Sequence, residues 1–523
     1  MSRSKSNSKN TGKNAVRPYT VMCTDMYLLW ILIVFPLYYA DGYFHLPEKK
    51  AMFWTVSTLV YVIVCLVGVV ITAFSMRENW NMENFKKNIT MTDVFMFGFL
   101  ISNLIALLMS DNPMGSWVGQ NARYYGARVL ILVCVVYFLV SRYAWINQVF
   151  IVAFLIGGNG VCLLATFDYF GMDVLGINKQ MQKSDWLVFI STMGNANTCA
   201  SYVTMAMAGA LCFFCVAKSV KAKIFAGISI VNCSMALITA RSDSAFVGIA
   251  AIIIVLGILA IIKKIDIKGF LLALIFMDIG IIVCTRIRSV FVDYLLDETV
   301  DDGISRLLIN QWIILVVILA ILIIANVIFS YIQKANIHIS QKQKRMCIFT
   351  TVVIACIIIA FVGYKTNIIE LFLNSMGVNI GFNAGSRAYI YQLTIESYTK
   401  LPLINKIFGC GQASISNILS TFFETELYRW GLSINSSHNN VLEYLIMIGM
   451  FGVICYLGAI ICTIKQGFSI IKENDIVLVL VGCVIAYFAQ GFFNIEQTNT
   501  TPVFWLMLSL CQGMYQQYII KKK

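Results

Sequence analysis

Apolar residues fall in long blocks along this chain, separated by short polar punctuation. Runs of suitable length lie near 26–40, 51–75, 93–110, 126–141, 145–167, 197–217, 224–240, 244–262, 269–285, 307–331, 346–364, 440–464, 476–493 and 501–519. A helix needs about 20 apolar residues to cross a hydrocarbon core about 30 Å thick. A membrane β-barrel would instead show short segments alternating with period two. The pattern therefore predicts an all-α, polytopic integral membrane protein with about 12–14 transmembrane helices. Residues 1–25 are polar and basic without an apolar core of their own, and they read as a disordered cytoplasmic tail rather than a cleaved signal peptide. The first run, from Met26, then serves as an uncleaved signal anchor. Residues 26–364 hold helices 1–11, residues 365–438 form one large outer loop, and residues 439–523 hold the last three helices and a short tail. A loop as long as 365–438 exceeds what a connector needs. A smaller outer loop, about 286–306, is acidic through Asp297 to Asp302.

Composition agrees with this reading. Of 523 residues, 59% are apolar and 12% charged, against roughly 25% charged in soluble domains. The net charge of +13 does not call for nucleic acid, because basic residues collect in cytoplasmic loops. With the N-terminus inside, 24 of the 39 basic residues fall on the inner side. Both termini are then cytoplasmic, and the 365–438 loop and Arg241 face outward. Most of the 16 cysteines sit inside apolar runs as small hydrophobes. No Cys/His spacing suggests a metal site, and no pair of similar halves suggests a transporter repeat.

Chemistry is then sought where polar residues meet helix ends. In the large loop, Gly385-Ser386 reads as a helix start with Ser386 as cap, and Arg387 falls in the first turn. Exposed backbone N–H groups there favour an anion, although a snorkelling arginine fits the same local pattern. Ile390, Leu393, Thr394 and Ser397 share one face of that helix, and Pro402 stops it. Gly409 and Gly411 suggest a tight turn against another backbone. His438 stands where the loop meets the next helix, with Asn439 or Asn440 as alternative caps. An imidazole there can exchange protons near neutral pH, or simply sit at the interface. Glu443, one turn on, can orient a polar neighbour. Arg241, between two apolar runs in Thr239-Ala240-Arg241-Ser242-Asp243, is either functional or paired with Asp243 in a short turn. Asn195-Ala196-Asn197 opens one span and Asn121-Ala122-Arg123 another. Arginines, amides and one histidine at outer helix mouths point to an anionic ligand outside the membrane, where ATP is absent.

These residues resemble a known family. Ser437-His438-Asn439-Asn440-Val441-Leu442-Glu443-Tyr444, followed by Gly449 and Gly452, is similar to the His-Asn-x-x-Leu-Glu … Gly-x-x-Gly signature of the O-antigen ligase and polymerase family. Gly385-Ser386-Arg387 with Leu401-Pro402-Leu403 and Phe408-Gly409-Cys410-Gly411 resembles its second segment, and Thr239–Ser242 and Asn195–Asn197 resemble two more. The order holds over roughly residues 120–515. The resemblance implies a GT-C-like glycosyltransferase of the bacterial plasma membrane, with no cofactor and no metal. Its implied partners are an undecaprenyl-pyrophosphate-linked oligosaccharide donor, a glycan acceptor, the lipid bilayer, and other polysaccharide-assembly proteins such as a flippase or chain-length regulator. Arg241 and Arg387 would hold the pyrophosphate, and His438 would orient or deprotonate the acceptor hydroxyl. Arg123, Asn197, Asn439 and Glu443 would position substrate. Polymerisation of surface polysaccharide repeats is the favoured outcome; ligation to a lipid core and protein O-glycosylation are the alternatives within the family. A lipid-linked-oligosaccharide flippase is the rival from another class, expected to carry polar residues and broken helices near mid-membrane. A membrane scaffold without an active site is the third.

Overall fold

Helix ends in this protein follow from where backbone groups find partners, and the apolar runs set only the middle of each span. The structure, a computed structural model, describes residues 16–75, 89–120, 123–182, 185–186, 188–291, 303–334 and 387–522. The expected span at 346–364, the acidic stretch Asp297–Asp302 and the Ser386 cap lie outside the described residues.

The first half of the chain gives α1 (Val16–Leu29), α2 (Gly42–Ser75), α3 (Met91–Leu108), α4 (Ala127–Tyr143) and α5 (Gln148–Tyr169). Next come α6 (Ala196–Val216), α7 (Val220–Thr239), α8 (Asp243–Ile261), α9 (Ile267–Val290) and α10 (Trp312–Lys334). The large loop folds into α11 (Arg387–Lys400), α12 (Leu403–Phe408) and α13 (Ile415–Arg429). The chain ends with α14 (Asn440–Met447), α15 (Gly449–Ser469), α16 (Val477–Gln490) and α17 (Thr501–Lys522). Among the described residues, ten helices are long and apolar enough to cross a membrane, so this is an all-α, multi-pass membrane protein. The strands are two residues each: Phe189–Ile190 pairs antiparallel with Gly194–Asn195, Phe189 opposite Asn195.

Composition sorts the helices by surroundings. For α6, rich in Ala, Ser, Thr and Gly, 89% of its best span window is buried, against 6% for α10, built from Ile, Leu and Val. Small residues let helix backbones approach closely, so α6 is the axis of the bundle and packs on α5, α7, α8 and α16. At the ends of α3 and α4 away from Ser110 and Arg123, Asp93 closes a capping box with Thr90, pairs with Arg142 at 2.8 Å, and accepts from Tyr137 at 2.7 Å.

Three boundaries differ from the sequence reading. The first helix starts at Val16, so residues 16–25 are helical and not a disordered tail. The reason is packing: Thr24 is buried, and its hydroxyl lies 3.1 Å from that of Tyr61. The second starts at Gly42 instead of 51, and its buried Lys50 ammonium donates to the Phe35 and Pro36 carbonyls (3.2 and 2.9 Å) at the end of the helical stretch that follows α1 to Leu37. The third change matters most. The single span expected at 440–464 is two helices, broken at Ile448–Gly449, where Gly449 has φ +69°.

That break is completed by the Gly409/Gly411 segment. Breaking a helix frees carbonyls that need partners wherever water is scarce. The N–H groups of Cys410 and Gly411 donate to the Ile446 and Met447 carbonyls at 2.9 and 3.0 Å. The approach is so close that a Cβ on Gly409 would lie 2.2 Å from the Met447 carbonyl oxygen. One on Gly449 would lie 2.3 Å from the Ile407 carbonyl oxygen. The tight turn against another backbone expected of the glycine pair is thus present. Gly409→Ala and Gly449→Ala are each expected to cost at least about 1–3 kcal/mol from the left-handed backbone alone, with the clash added. A thermal inactivation series in detergent should show both well below wild type, and an unchanged midpoint would contradict this account.

The large loop docks on this break through its own apolar core. Tyr389, Ile390, Leu393, Leu401, Ile415, Leu419, Phe423 and Leu427 pack together with Ile446 of α14. Of the two faces of α11, the one with Ile390, Leu393, Thr394 and Ser397 is the buried one, with Thr394 and Ser397 fully enclosed, and Ile395 on the other is exposed.

Candidate functional site

The site is built around a forced turn before α14. Asn439 is the cap: its Oδ1 accepts from the N–H groups of Val441 (3.0 Å) and Leu442 (3.1 Å). Glu443 Oε2 reaches back to accept from the Ser437 N–H at 2.7 Å, and the Ser437 hydroxyl lies 2.8 Å from the same oxygen. Held from both sides, His438 takes a left-handed backbone, φ +52°. A non-glycine residue held there stores strain of about 1–3 kcal/mol.

Two arginines act on this turn, and a third sits in a turn whose Asp243 acts on one of them. Arg123, between the short helix Pro113–Val118 and α4, donates from Nη2 to Asn435 Oδ1 (2.9 Å) and faces Glu443 Oε1 at 3.5 Å. Arg387 opens α11, and its Nη1 is buried with no hydrogen-bond partner among the described residues. One turn on, the Tyr391 hydroxyl lies 3.1 Å from the His438 carbonyl oxygen and 2.9 Å from that of Phe492. This ties α11 to the His438 backbone. Arg241 sits in the turn between α7 and α8, also left-handed at φ +48°. Next to it, Ser242 Oγ donates to Asn197 Oδ1 at 2.7 Å, and Asp243 accepts the Ile304 N–H at 2.8 Å while its carboxylate acts on the Arg387 guanidinium. Asn195 caps α6 as expected, its Oδ1 accepting the Asn197 N–H.

The electrostatics follow from burial and crowding of like charge. Burial is the main reason the His438 pKa is pushed down to about 4, and the charges of Arg387 and Arg123 add to it. The imidazole is therefore neutral at pH 7, with a lone pair free to accept a proton. Burial also holds Arg387 and Arg123 below the usual guanidinium range, opposed by Asp243 and Tyr391 at the first and by Glu443 at the second. Desolvated cations beside a neutral base can hold an anion and take a proton from a neighbouring hydroxyl.

The residues singled out in the sequence fall into linked groups, with the Arg241 turn placed by its backbone. Arg123, His438, Asn439 and Glu443 form one unit, Arg387 joins it through Tyr391, and Asn197 with the Arg241 turn joins through Ser242 and Asp243. Sequence reasoning missed a second layer beneath them. Glu496, buried between α16 and α17, accepts from the hydroxyls of Tyr125 (2.8 Å), Tyr444 and Tyr456 (2.9 Å) and from Asn440 Nδ2 (3.3 Å). Asn494, two residues earlier, donates to the Asn197 carbonyl (2.9 Å) and Ser201 Oγ (3.0 Å). A lone acid between two apolar runs was the signal available for Glu496.

Comparison with known proteins adds one match. Residues 307–457 match the family model described as O-Antigen ligase. The matched stretch contains Arg387, Gly409, Gly411, His438, Asn439, Glu443, Gly449 and Gly452; Arg123, Asn197 and Arg241 lie outside it. No curated protein matches the chain.

Proposed function

We propose, from the match of residues 307–457 to the O-antigen ligase family model, that this chain transfers a glycan from undecaprenyl pyrophosphate at the outer face of the bacterial plasma membrane. The observation that carries the reading is the strained His438 turn, whose Glu443 faces Arg123, set near the buried Arg387 with its Nη1 unpartnered among the described residues. An acceptor hydroxyl oxygen attacks the anomeric carbon from the side opposite the pyrophosphate. The bond to the pyrophosphate oxygen breaks, and its electron pair leaves with the lipid. The hydroxyl proton passes to the His438 imidazole. Arg387 and Arg241 hold the charge that grows on the leaving oxygens, a role that needs no metal at the phosphate. Asn439 and Glu443 fix the turn that presents His438, and Arg123 and Asn197 position the substrate. Both termini are cytoplasmic in this reading, and the product is a lengthening surface polysaccharide.

The test uses the full chain in lipid, supplied with a lipid-pyrophosphate-linked repeat unit and read as product length on a gel. Wild type should give a ladder, and Arg387→Ala and His438→Ala, both confirmed folded, should give none. One transfer to an added lipid core or peptide would make the chain a ligase or a protein glycosyltransferase. Donor movement across the bilayer without product would support the flippase. Equal ladders from all three proteins would remove these residues from the site.

A further inference from the structure

Below the Arg123–Glu443 pair lies a cavity of ≈ 30 Å³, lined among others by Arg123, Tyr125, Asn435, Asn440, Glu443 and Glu496. One water needs roughly 10–15 Å³ of such space, so there is room for about two oxygen-sized groups. Its wall is built for them. Asn440 is 4% exposed, spends its Nδ2 on Glu496, and leaves Oδ1 buried without a hydrogen-bond partner among the described residues. A buried amide oxygen of this kind costs free energy until a donor reaches it. Glu443 contributes carboxylate oxygens and Arg123 contributes donors.

The charges sort what can enter. Glu443 and Glu496 face the Arg123 guanidinium here, and burial raises the Glu496 pKa, so the side chains of the cavity carry no net positive charge. The buried Arg387 guanidinium lies outside the lining and acts on His438. A pyrophosphate finds a cation in excess at the second place and none at the first. A neutral group that donates and accepts hydrogen bonds suits the cavity, and sugar hydroxyls have that character.

We propose that this cavity is the acceptor subsite: it takes one or two hydroxyl groups of the acceptor glycan, donating to Asn440 Oδ1 and the Glu443 and Glu496 carboxylates and accepting from Arg123. The subsite rests on the glycosyl-transfer reading for its ligand class, while its position rests on the cavity itself. It also gives Glu496 a task. Through Tyr444 and Asn440 it holds α14, through Tyr125 it holds the Arg123 segment, and it forms the cavity floor.

The probe is the native repeat-unit oligosaccharide cut from its lipid, radiolabelled, with undecaprenyl pyrophosphate as the second ligand. Equilibrium binding of each is measured to wild type, Asn440→Leu, Glu496→Gln, Asn435→Ala and Arg387→Ala in lipid nanodiscs. Asn435 lies on the exposed loop, so Asn435→Ala folds even if a core variant does not. Asn440→Leu and Glu496→Gln, and Asn435→Ala through the Arg123 it holds in the cavity wall, should each weaken oligosaccharide binding roughly tenfold, the value of about one hydrogen bond. Their undecaprenyl pyrophosphate binding should stay within about twofold, and Arg387→Ala should show the reverse pattern. Unchanged oligosaccharide binding, or equal loss of both ligands, overturns the subsite. If wild type binds the oligosaccharide in this pattern but makes no product, the transfer reading fails and the subsite stands. If wild type makes product and the variants bind as wild type does, the subsite alone falls.

Discussion

Arg387→Lys should lower turnover about 10²–10³-fold, the loss typical of one removed transition-state donor, although it keeps a positive charge. The guanidinium is planar and can give two parallel hydrogen bonds to a phosphate, whereas an ammonium is a hydrated point charge. In this protein the difference is enlarged, because Arg387 Nη1 is already out of water with no partner among the described residues. Its desolvation is met by the fold before any ligand arrives, so an anion placed there recovers it in full. The bridging oxygen gains its charge only as the glycosidic bond breaks. Turnover should therefore fall far more than donor KM rises. Arg387→Ala should lose at least as much, and added guanidinium ion should restore part of it, a rescue that a structural defect would not show. Lys, Ala and wild type turning over alike would remove Arg387 from the leaving-group site.

How far the sequence carried this picture depended on where each partner lies. Apolar runs fixed the middles of the spans, since crossing a bilayer requires little beyond length and hydrocarbon. The residues that share a face of α11 and the two candidate caps Asn439 and Asn440 were readable because both follow from spacing within one turn or two; which face is buried and which amide caps were not. The break at Ile448–Gly449 was not readable. Met447-Ile448-Gly449-Met450 is continuous hydrocarbon with one glycine, and the groups that make a break tolerable, the N–H of Cys410 and Gly411, come from about 37 residues upstream. The two glycine-bearing stretches looked like separate signals and are one contact. Lys50 failed for the same reason: a charge among Glu48-Lys49-Lys50 reads as a loop until its acceptors, the carbonyls of Phe35 and Pro36, are seen. Glu496 is marked in the sequence only as a lone acid between two apolar runs, and its donors come from residues 125, 440, 444 and 456, which no local pattern connects to it.

The hub and the break together explain how a histidine can be held still at a helix mouth. A short α14, about two turns long, is easier to pin than a full span. Glu496 pins its inner face, the Cys410–Gly411 backbone pins its last carbonyls, and Tyr391 pins the turn before it. His438, with strain in its backbone, is the point these three restraints surround. Such over-determination is what a strained, functional backbone requires.

His438→Ala should cost about 10²–10⁴ in turnover, the range for a removed general base, and the pH profile should reveal why. In the free protein the imidazole titrates near 4, held down by burial and then by Arg387 and Arg123. The acid limb of kcat/KM, which reports the free protein, should fall there. A bound pyrophosphate cancels the two arginine charges and adds its own negative field, both of which favour the imidazolium. The limb of kcat, which reports the complex, should therefore move upward toward the ordinary value near 6.5. The donor thus brings the base closer to the working pH at the moment it is needed. Arg387→Ala should raise the free-protein limb, and the residual activity of His438→Ala should lose the limb altogether. Stability carries the same signature. Because the folded value lies below the unfolded one, the unfolded chain binds the extra proton, so stability is full above about pH 6.5 and declines as the pH drops toward 4. His438→Gln should remove that part of the acid loss. A kcat/KM limb near 6.5 that ignores Arg387 would mean the imidazole lies free of both arginines, and the base assignment would fall with it.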